Sequence, residues 1–324
     1  MTKAIVIDKT GGPDALQWKD VQVGEPGEGQ VRIRHTAIGL NYIDVYMRSG
    51  LYPIPMPGGL GLEAAGVIEA VGSGVSHVKI GDRVAYAGGP PGAYAETRVM
   101  PAIPLVKLPD NVSDQQAAAL LLKGMTVQFL IRRTYKVKAG ETVLLHAAAG
   151  GVGLIACQWL KALGVTVIGT VSNEEKAALA KANGCTHTVL YTRENFAERV
   201  RELTNGAGVP VVYDSVGKVT WEDSLSCLQP LGLMVSFGNT SGPVAPVNIG
   251  QLAAKGSLFV TRPALATYTA KPDDLQATAA DLFDVMASGK VKAKIAQTFP
   301  LKDAADAHRA LEDSKTVGST VLIP

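Results

Sequence analysis

The stretch Thr142–Gly164, TVLLHAAAGGVGLIACQWLKALG, decides the fold. It opens with an apolar run typical of a buried strand, passes through a turn of small residues and ends in a helical pattern. Gly150, Gly151 and Gly153 lie where the strand becomes the helix. Such a turn lets the backbone approach the pyrophosphate of a dinucleotide, and the first N–H groups of the helix then point at that anion. Ala148 stands where the first glycine of the G-x-G-x-x-G pattern belongs, so the loop alone is a weak signal.

The residues around this stretch support the interpretation. VTVIGTV, at Val165–Val171, is a second apolar strand, and it completes a strand–helix–strand unit. From about Lys123 to Arg262, short apolar runs alternate with helical segments, as a parallel sheet covered on both faces requires. The sequence therefore predicts a doubly wound, Rossmann-type nucleotide-binding domain over residues 123–262.

A different pattern precedes this domain. Between Val31 and Tyr86, β-rich runs such as VRIRHTAI and DRVAYA are punctuated by Gly, Pro and Asn, and no crossover helix is predicted between them. This pattern indicates an irregular, curved β domain. The tail after Arg262 has about sixty residues, too few for a core of its own, so we expect it to pack on the first domain. The predicted domains are 1–122 with 263–324, and 123–262.

Composition and charge narrow the possible partners. The chain has 324 residues, 47% of them apolar, and its 31 basic and 29 acidic side chains are mixed along it. This pattern argues against a nucleic-acid partner or a membrane-surface patch. The apolar runs Ala4–Ile7 and Ala117–Leu122 are too short for a signal peptide and a membrane span, respectively. Three scattered cysteines without C-x-x-C spacing fit a reducing, cytoplasmic compartment: Cys157, Cys185 and Cys227.

The end of the second nucleotide-domain strand bears on the choice of cofactor. NAD-binding sites usually carry an acid there, which accepts from the ribose 2′-OH. Here the strand leads to Ser172 and Asn173, and Lys176 follows in the first turn of the next helix, where it could pair with a 2′-phosphate. Glu174 and Glu175 would repel a phosphate, so Lys176 could instead be a solvated helix residue. The residues alone favour NADPH without excluding NADH.

A family resemblance adds to this reading. Residues 140–161 read G-E-x-x-L-x-x-x-A-A-G-G-x-G-x-x-x-x-Q-x-x-K, which resembles the signature of the quinone oxidoreductase and ζ-crystallin branch of the medium-chain dehydrogenase/reductase superfamily, and of its bacterial NADPH:quinone reductases most of all. GLNYIDVYMRSGLYP, GLGLEAAGVIEAVGSGV, VVYDSVG, LGLMVSFGN and GSLFVTRP resemble further segments of that branch, so the resemblance covers nearly the whole chain. It implies an α/β protein with a GroES-like catalytic domain, a Rossmann domain and an active site in the cleft between them.

The same resemblance implies NADPH as the cofactor and assigns residues to it. Ser172, Lys176 and Tyr191 would surround the 2′-phosphate. The other implied cofactor residues are Gly150, Gly151 and Val152 at the pyrophosphate, Ser215 and Val216 on the adenine side, Phe237, Gly238 and Asn239 near the nicotinamide, Tyr42, Ile43, Asp44, Thr126 and Phe129 at the nicotinamide end, and Gly318 near the C-terminus.

We do not expect a metal. The resemblance places a zinc-binding Cys of alcohol dehydrogenases near Asn41 and a zinc-binding His at Leu62, and leucine cannot ligate a metal. Residues 87–99 lack the four cysteines of the structural zinc lobe in those relatives. Without a Lewis acid, alcohol oxidation loses its usual charge stabilisation, whereas a quinone or enone delocalises the charge that a hydride brings. We therefore expect zinc-independent hydride transfer from NADPH to quinones or similar conjugated carbonyl compounds.

Five residues are candidates for catalysis. Tyr46 and Tyr52 could donate a hydrogen bond or a proton to the quinone oxygen, although simple packing is an equal alternative. Asn41 could orient the carbonyl or the carboxamide of the cofactor. Arg262 could attract a developing oxyanion, and Asp44 could fix one of these partners.

Several alternatives stay open. An alkenal or enone reductase would use the same fold, and a cofactor-binding subunit without turnover would carry the same nucleotide loop. Some members of the resembled family serve as structural proteins of the lens or bind RNA. The resemblance also implies a homodimer, in which the segments LGLMVSF and SLFVTRP pair across a two-fold axis.

Overall fold

The chain forms two compact units in a computed structural model, which describes residues 1–313 and 316–324. The first unit comprises Met1–Met125, Thr269–Ala287 and Ala293–Pro324, and the second comprises Thr126–Tyr268 and Ser288–Lys292. The domain borders inferred from the sequence stay predictions. In the described part of the chain, every helix is too short or too polar to cross a lipid bilayer.

The strands are numbered in chain order. They are β1 Thr2–Ile7, β2 Gln17–Val21, β3 Gln30–Leu40, β4 Gly58–Gly59, β5 Glu63–Val71, β6 Arg83–Ala87, β7 Thr97–Pro101, β8 Val106–Lys107, β9 Thr142–Leu145, β10 Thr166–Val171, β11 His187–Leu190, β12 Val209–Asp214, β13 Leu228–Ser236, β14 Phe259–Thr261, β15 Ile295–Pro300 and β16 Ser319–Ile323.

The helices are numbered in the same way. They are α1 Tyr42–Ser49, α2 Asp114–Phe129, α3 Gly151–Ala162, α4 Glu174–Ala182, α5 Phe196–Leu203, α6 Trp221–Cys227, α7 Gly250–Ala254, α8 Leu265–Tyr268, α9 Pro272–Ala287 and α10 Ala304–Glu312.

The second unit is built on a parallel sheet with the strand order β11-β10-β9-β12-β13-β14. From β9 the chain runs outward to one edge, and it then returns to β12 and runs to the other. The carboxyl ends of β9 and β12 are therefore neighbours at the point where the direction reverses, which is where sheets of this kind bind ligands. The strands are apolar and buried, with Val143, Leu144 and Leu145 at most 1% exposed. The predicted doubly wound architecture is confirmed.

The first unit is β-rich. Its larger sheet has the order β15-β16-β3-β5-β6-β8, with β7 also paired to β3, and a smaller sheet has the order β2-β1-β4. The last strand of the chain joins this sheet, since Val321 lies opposite Gly39 in an antiparallel pair. Irregular register between β3 and β5 marks β-bulges, which bend strands and give the sheet its curvature. Apolar side chains from the first and last parts of the chain, such as Ile38 and Leu322, share one core.

One segment of the first unit differs from the sequence prediction. The sequence predicts no crossover helix among the β-rich runs from Val31 to Tyr86, but Tyr42–Ser49 forms the helix α1 between β3 and β5. Asn41 stands at the N-cap, Asp44 accepts from its backbone N at 3.0 Å, and Gly50 ends the helix with φ +87°. The N-x-x-D spacing and the following glycine are helix-boundary signals. Sequence reasoning missed them because the β-branched residues Ile43 and Val45 favour strand.

Candidate active site

The turn between β9 and α3 packs so closely that one position accepts only glycine. A Cβ on Gly153 would lie 2.3 Å from the carbonyl oxygen of Ala147. Gly150 precedes the helix in an extended conformation, and in the described chain no side chain caps the first turn. The first N–H groups of an uncapped helix carry partial positive charge and seek an acceptor. The turn thus suits a diphosphate, and Gly151 and Val152 supply the first N–H groups.

The residues predicted around a 2′-phosphate lie at the same edge of the sheet. Ser172 follows β10 and Tyr191 follows β11, and these neighbouring strands end in register. Asn173 caps α4, because its Oδ1 accepts from the backbone N of Lys176 at 2.9 Å. This cap fixes Lys176 in the first turn of the helix. The exposed ring of Tyr191 is available for stacking.

A basic residue near this corner escaped the sequence reasoning. Arg193 NH1 lies 3.2 Å from Glu174 Oε1, and both side chains are exposed. The guanidinium offsets one of the two acidic charges that were expected to oppose a phosphate. Arg193 could have been predicted as part of this corner, because it lies two residues after Tyr191 in the sequence.

Asp214, another residue missed from the sequence, shapes the loop at the end of β12. Its Oδ1 accepts from the backbone N of Val216 at 2.6 Å and of Gly217 at 3.1 Å, and its Oδ2 accepts from Thr220 Oγ1 at 2.7 Å. A fully buried carboxylate that receives several hydrogen bonds is a stable anchor. It holds Ser215 and Val216, the residues predicted on the adenine side, at the carboxyl edge.

Arg262 fastens the neighbouring loop after β13. Its NH1 donates to the carbonyl oxygens of Gly238 at 2.8 Å and Ser236 at 3.1 Å. With the amide of Asn239 turned to satisfy its neighbours, its oxygen accepts from Arg262 NH2 at 3.0 Å. A Cβ on Gly238 would lie 2.4 Å from the carbonyl oxygen of Ser215, so the two loops touch. These contacts support a holding role for Arg262, and its predicted contact with an oxyanion stays a prediction.

Phe237 begins this loop and donates its backbone N–H to the carbonyl oxygen of Asp214 at 2.7 Å. Phe129, by contrast, is 1% exposed and stacks on Tyr268 with ring centroids 4.4 Å apart. Thr126 lies one turn earlier on α2 and is buried. The stacking of Phe129 on Tyr268 indicates a packing role for Phe129. The contact of Phe129 with the cofactor stays a prediction.

The first unit gathers its candidate residues at the start of α1. Asn41 donates from its backbone N to Asp44 Oδ2 at 3.0 Å, and from Nδ2 to Glu63 Oε2 at 2.7 Å. Glu63 Oε1 accepts from Leu122 N at 2.6 Å, and Lys123 Nζ lies 3.6 Å from Glu63 Oε2. Burial raises the pKa of Glu63 and raises that of Asp44 to about 7. The amide of Asn41 is therefore engaged by the buried carboxyl group of Glu63.

Glu63 and Lys123 were missed from the sequence as members of this cluster. The signals were present: an acid inside an apolar strand start, and the lysine that interrupts the longest apolar run. Neither signal shows that these two side chains contact each other or Asn41. Their separation of 60 positions is bridged only by the fold.

The predicted tyrosines lie together. The ring centroids of Tyr42 and Tyr46 are 5.4 Å apart, and those of Tyr46 and Tyr52 are 5.2 Å apart with edge-on geometry. The backbone N of Tyr52 donates to the carbonyl oxygen of Tyr46 at 3.1 Å. Partial burial raises the pKa of Tyr42, so its phenol stays protonated. Ile43 is half-buried in the same helical turn.

Gly318 has a local structural reason to be glycine. Its φ is +68°, and a Cβ there would lie 2.6 Å from the carbonyl oxygen of Lys294. Ser319 N donates to that same oxygen at 2.9 Å. The glycine thus starts β16, and its predicted contact with the cofactor stays a prediction.

The histidines, cysteines and the position of Leu62 bear on metal binding. Leu62 is buried, and within residues 1–313 and 316–324 no three His, Cys, Asp or Glu side chains are grouped to hold a metal ion. His146 lies 2.9 Å from Thr170 Oγ1 and 2.8 Å from Ser224 Oγ. Both ring nitrogens of this buried histidine thus have hydrogen-bond partners, and burial lowers its pKa. The three cysteines are free and buried.

Comparison with known proteins places this geometry in context. The family described as "Alcohol dehydrogenase GroES-like domain" matches residues 27–110, and that described as "Zinc-binding dehydrogenase" matches residues 151–282. The quinone oxidoreductase of Pseudomonas aeruginosa is 57% identical over the whole of both chains. The 2-haloacrylate reductase of a Burkholderia species is 48% identical over 100% of this chain and 99% of its own.

A solved structure is equally similar. The crystal structure of Escherichia coli quinone oxidoreductase complexed with NADPH is 51% identical and has a TM-score of 0.98, covering 99% of this chain and 100% of that one. A GroES-like β-rich unit and a doubly wound unit with a glycine-only phosphate turn define a medium-chain dehydrogenase/reductase. Within that superfamily, this chain belongs to the quinone oxidoreductase family.

Proposed function

We propose that this chain is an oxidoreductase that uses NADPH to reduce quinones and similar conjugated carbonyl compounds by hydride transfer. The observation that carries the proposal is the carboxyl edge of the parallel sheet. There, the uncapped start of α3, with the close-packed Gly153 in its first turn, lies near the corner formed by Ser172, Lys176 and Tyr191. The first feature suits a diphosphate and the second suits a 2′-phosphate.

NADPH supplies the hydride when it is bound. The chain holds the cofactor with the first N–H groups of α3 and with Lys176, and it orders the loops that begin at Ser215 and Phe237 through Asp214 and Arg262. Ordered loops reduce the entropy that binding must overcome. NADPH as the cofactor is supported by the similar Escherichia coli quinone oxidoreductase, which was crystallised with NADPH.

The substrate class follows from the residues of the first unit. Leu62 stands where a zinc-binding histidine would be required, so protein side chains and the acceptor itself must stabilise the charge that a hydride brings. Conjugated acceptors delocalise that charge. We assign the positioning of such a planar acceptor to Tyr46 and Tyr52, whose rings pack edge-on, and the ordering of the start of α1 to Asn41.

A second candidate is reduction of an activated carbon–carbon double bond. It is favoured by the 48% identity to a 2-haloacrylate reductase. Both reactions deliver a hydride to a conjugated system. A panel of 1,2- and 1,4-quinones, 2-alkenals and 2-haloacrylate, with NADPH consumption followed by absorbance, separates them. The highest kcat/KM should fall on a quinone; a highest value on 2-haloacrylate or an alkenal would replace the first assignment by the second.

The cofactor preference has its own test. Lys176→Ala should raise the Kd for NADPH about 10- to 100-fold, the loss expected for a hydrogen-bonded ion pair, and leave that for NADH unchanged. Lys181→Ala, in the last turn of the same helix, is the matched control. Equal losses for both cofactors would move the 2′-phosphate away from Lys176.

The remaining alternatives are tested with the same protein. Tight NADPH binding without consumption across the whole panel would indicate a cofactor-binding subunit without turnover. RNA binding that weakens with salt and changes when NADPH is added would indicate the RNA-binding alternative. RNA binding is not expected from a chain with a net charge of +2.

The assembly and the compartment complete the proposal. β14 is an edge strand, and its Phe259 and Val260 are 59% and 40% exposed. An exposed apolar edge strand favours pairing with a second copy, so we assign the chain to a homodimer formed through β14. Three free thiols fit a reducing compartment, and we place the protein in the cytoplasm.

A further inference from the structure

Among the described residues, the first unit holds two buried tyrosine–histidine pairs whose hydrogen bonds run in opposite directions. Tyr86 Oη lies 2.9 Å from His35 Nε2, and Tyr94 Oη lies 3.1 Å from His308 Nε2. His35 Nδ1 lies 2.6 Å from the carbonyl oxygen of Ala95, so Nδ1 carries the proton and Nε2 accepts from Tyr86. This pair ends on the backbone and needs no role beyond packing.

The second pair has the other tautomer. Arg48 can only donate, and its NH1 lies 3.1 Å from His308 Nδ1, so the histidine proton must be on Nε2. His308 therefore donates to the oxygen of Tyr94, and the hydroxyl proton of Tyr94 is left for Asp44 Oδ2 at 2.9 Å. Every hydrogen bond from Arg48 to Asp44 points the same way. We call Arg48, His308 and Tyr94 the relay.

The outer end of the relay is fixed. Arg48 is 2% exposed, and its NH2 lies 2.7 Å from Glu312 Oε1, on a side chain that is 32% exposed. Its Nε donates to the carbonyl oxygen of Gly11 at 3.1 Å. Burial and the charge of Arg48 lower the pKa of His308 to about 3, so the histidine stays neutral near pH 7. Burial raises the pKa of Tyr94 well above its ordinary value, so neither His308 nor Tyr94 titrates in the neutral range.

The inner end is Asp44, which is fully buried. Its Oδ2 accepts from Tyr94 and from the backbone N of Asn41, whereas Oδ1 is buried and has no hydrogen-bond partner in the described chain. Glu63 repels its negative charge, and Lys123 and the Tyr94 hydroxyl favour it, but burial is the largest effect. One ammonium thus faces two buried carboxyl groups. Burial raises the pKa of both carboxyl groups, so the cluster favours a neutral acid on one of them.

We propose that Arg48, His308 and Tyr94 are positioning residues that keep Oδ2 of Asp44 occupied and set its protonation, and that the enzyme is active with Asp44 protonated. The inference rests on the proposed function, because hydride transfer to a quinone leaves negative charge on the acceptor. A negative charge on Asp44, which shares a single ammonium with Glu63, opposes that charge, whereas the neutral acid does not. The Tyr94 hydrogen bond favours the carboxylate, so its loss extends the active form to higher pH.

The first experiment compares Tyr94→Phe with the matched variant Tyr86→Phe. In the wild type, kcat/KM for a quinone should fall as the pH rises through about 7. Tyr94→Phe should move the midpoint of this fall upward by ~1 pH unit, the effect of one lost hydrogen bond to a carboxylate. Tyr86→Phe should lower the melting temperature without moving the midpoint. A purely structural role for Tyr94 would lower kcat/KM equally at every pH, and that result would overturn the proposal.

A second readout needs no turnover. The infrared band of a protonated carboxyl group, isolated as the difference between the wild type and Asp44→Asn, should titrate with the same midpoint as kcat/KM. His308→Gln keeps an acceptor for Arg48 and a donor for Tyr94, so its midpoint should match the wild type, whereas His308→Leu should shift it upward. An absent band, or a band shift without a matching shift in kcat/KM, contradicts the proposal. A wild type that reduces no quinone overturns the proposed function, while the band still tests the relay.

Discussion

Gly238 and Ser215 lie so close that a Cβ on the glycine would come within 2.4 Å of the serine carbonyl oxygen. This contact joins the loops that follow β12 and β13. Two neighbouring parallel strands thus end in loops that cannot move independently. Because both loops carry residues that we assign to the cofactor, the contact gives the first prediction.

Gly238→Ala should separate the two loops. We expect a loss of stability of about 1–3 kcal/mol, typical of overpacking, and at least a tenfold rise in the Kd for NADPH. Calorimetry and fluorescence titration measure the two effects. Gly12→Ala is the control, since a Cβ there meets nothing within 4 Å. Wild-type affinity in Gly238→Ala would remove this contact from cofactor binding.

Arg262→Lys separates the two roles considered for this side chain. Lysine cannot replace a planar group that reaches the carbonyl oxygens of Ser236 and Gly238 and also the amide of Asn239. We therefore expect KM for NADPH to rise about tenfold with a nearly unchanged kcat, in steady-state assays. A lower kcat at unchanged NADPH affinity would instead support the contact with an oxyanion.

Acid should destabilise the first unit through its buried histidines. The folded-state pKa of His308 is lowered to about 3 and that of His35 to about 4, both by burial first. Between those values and 6.5, the unfolded chain binds more protons, so stability is lost as the pH falls through this window. His308→Gln should flatten the fall of the free energy of unfolding below pH 6.5 by up to about 1.4 kcal/mol per pH unit, measured by denaturant or thermal unfolding at each pH.

Gly12→Ala provides the control for this experiment, since it removes no titratable group and its Cβ meets nothing within 4 Å, and it should leave the slope unchanged. Asp44 acts with the opposite sign. Its folded-state pKa is raised to about 7, so it contributes stability at low pH that is lost as the pH rises toward 7. It is present in all three proteins. Equal slopes in the wild type and His308→Gln would show that His308 titrates normally.

A charge on β14 should dissociate the proposed homodimer. Phe259→Asp replaces an exposed apolar side chain on an edge strand by a carboxylate, which opposes pairing with a second copy. Light scattering after size-exclusion chromatography should report half the wild-type mass. Ile103→Asp, at a 61% exposed apolar site of the other unit, should leave the mass unchanged. A dimeric Phe259→Asp would move the interface elsewhere.

Only part of the candidate site could be predicted from the sequence. The sequence predicts the phosphate turn and the Ser172–Lys176 corner because each lies within one strand–turn–helix segment. In such a segment, residues that are close along the chain are also close in space. Helix α1 was missed because its capping signal, at Asn41 and Asp44, competes with the strand preference of its β-branched residues. Asp214 was not predicted, because the sequence does not show whether an acid at the end of a strand binds a ligand or accepts hydrogen bonds from nearby backbone N–H groups.

By itself, the sequence determined the doubly wound sheet, the glycine turn and the absence of a zinc ligand at Leu62. These features depend on local periodicity and on the chemistry of single side chains. Only the tertiary structure decided which buried polar groups are hydrogen-bonded to one another. Tyr94 and His308 are 214 positions apart, and nothing along the chain links them. Burial leaves each of these groups the partners that the fold supplies, and the donor-only chemistry of Arg48 then sets the direction of every hydrogen bond as far as Asp44.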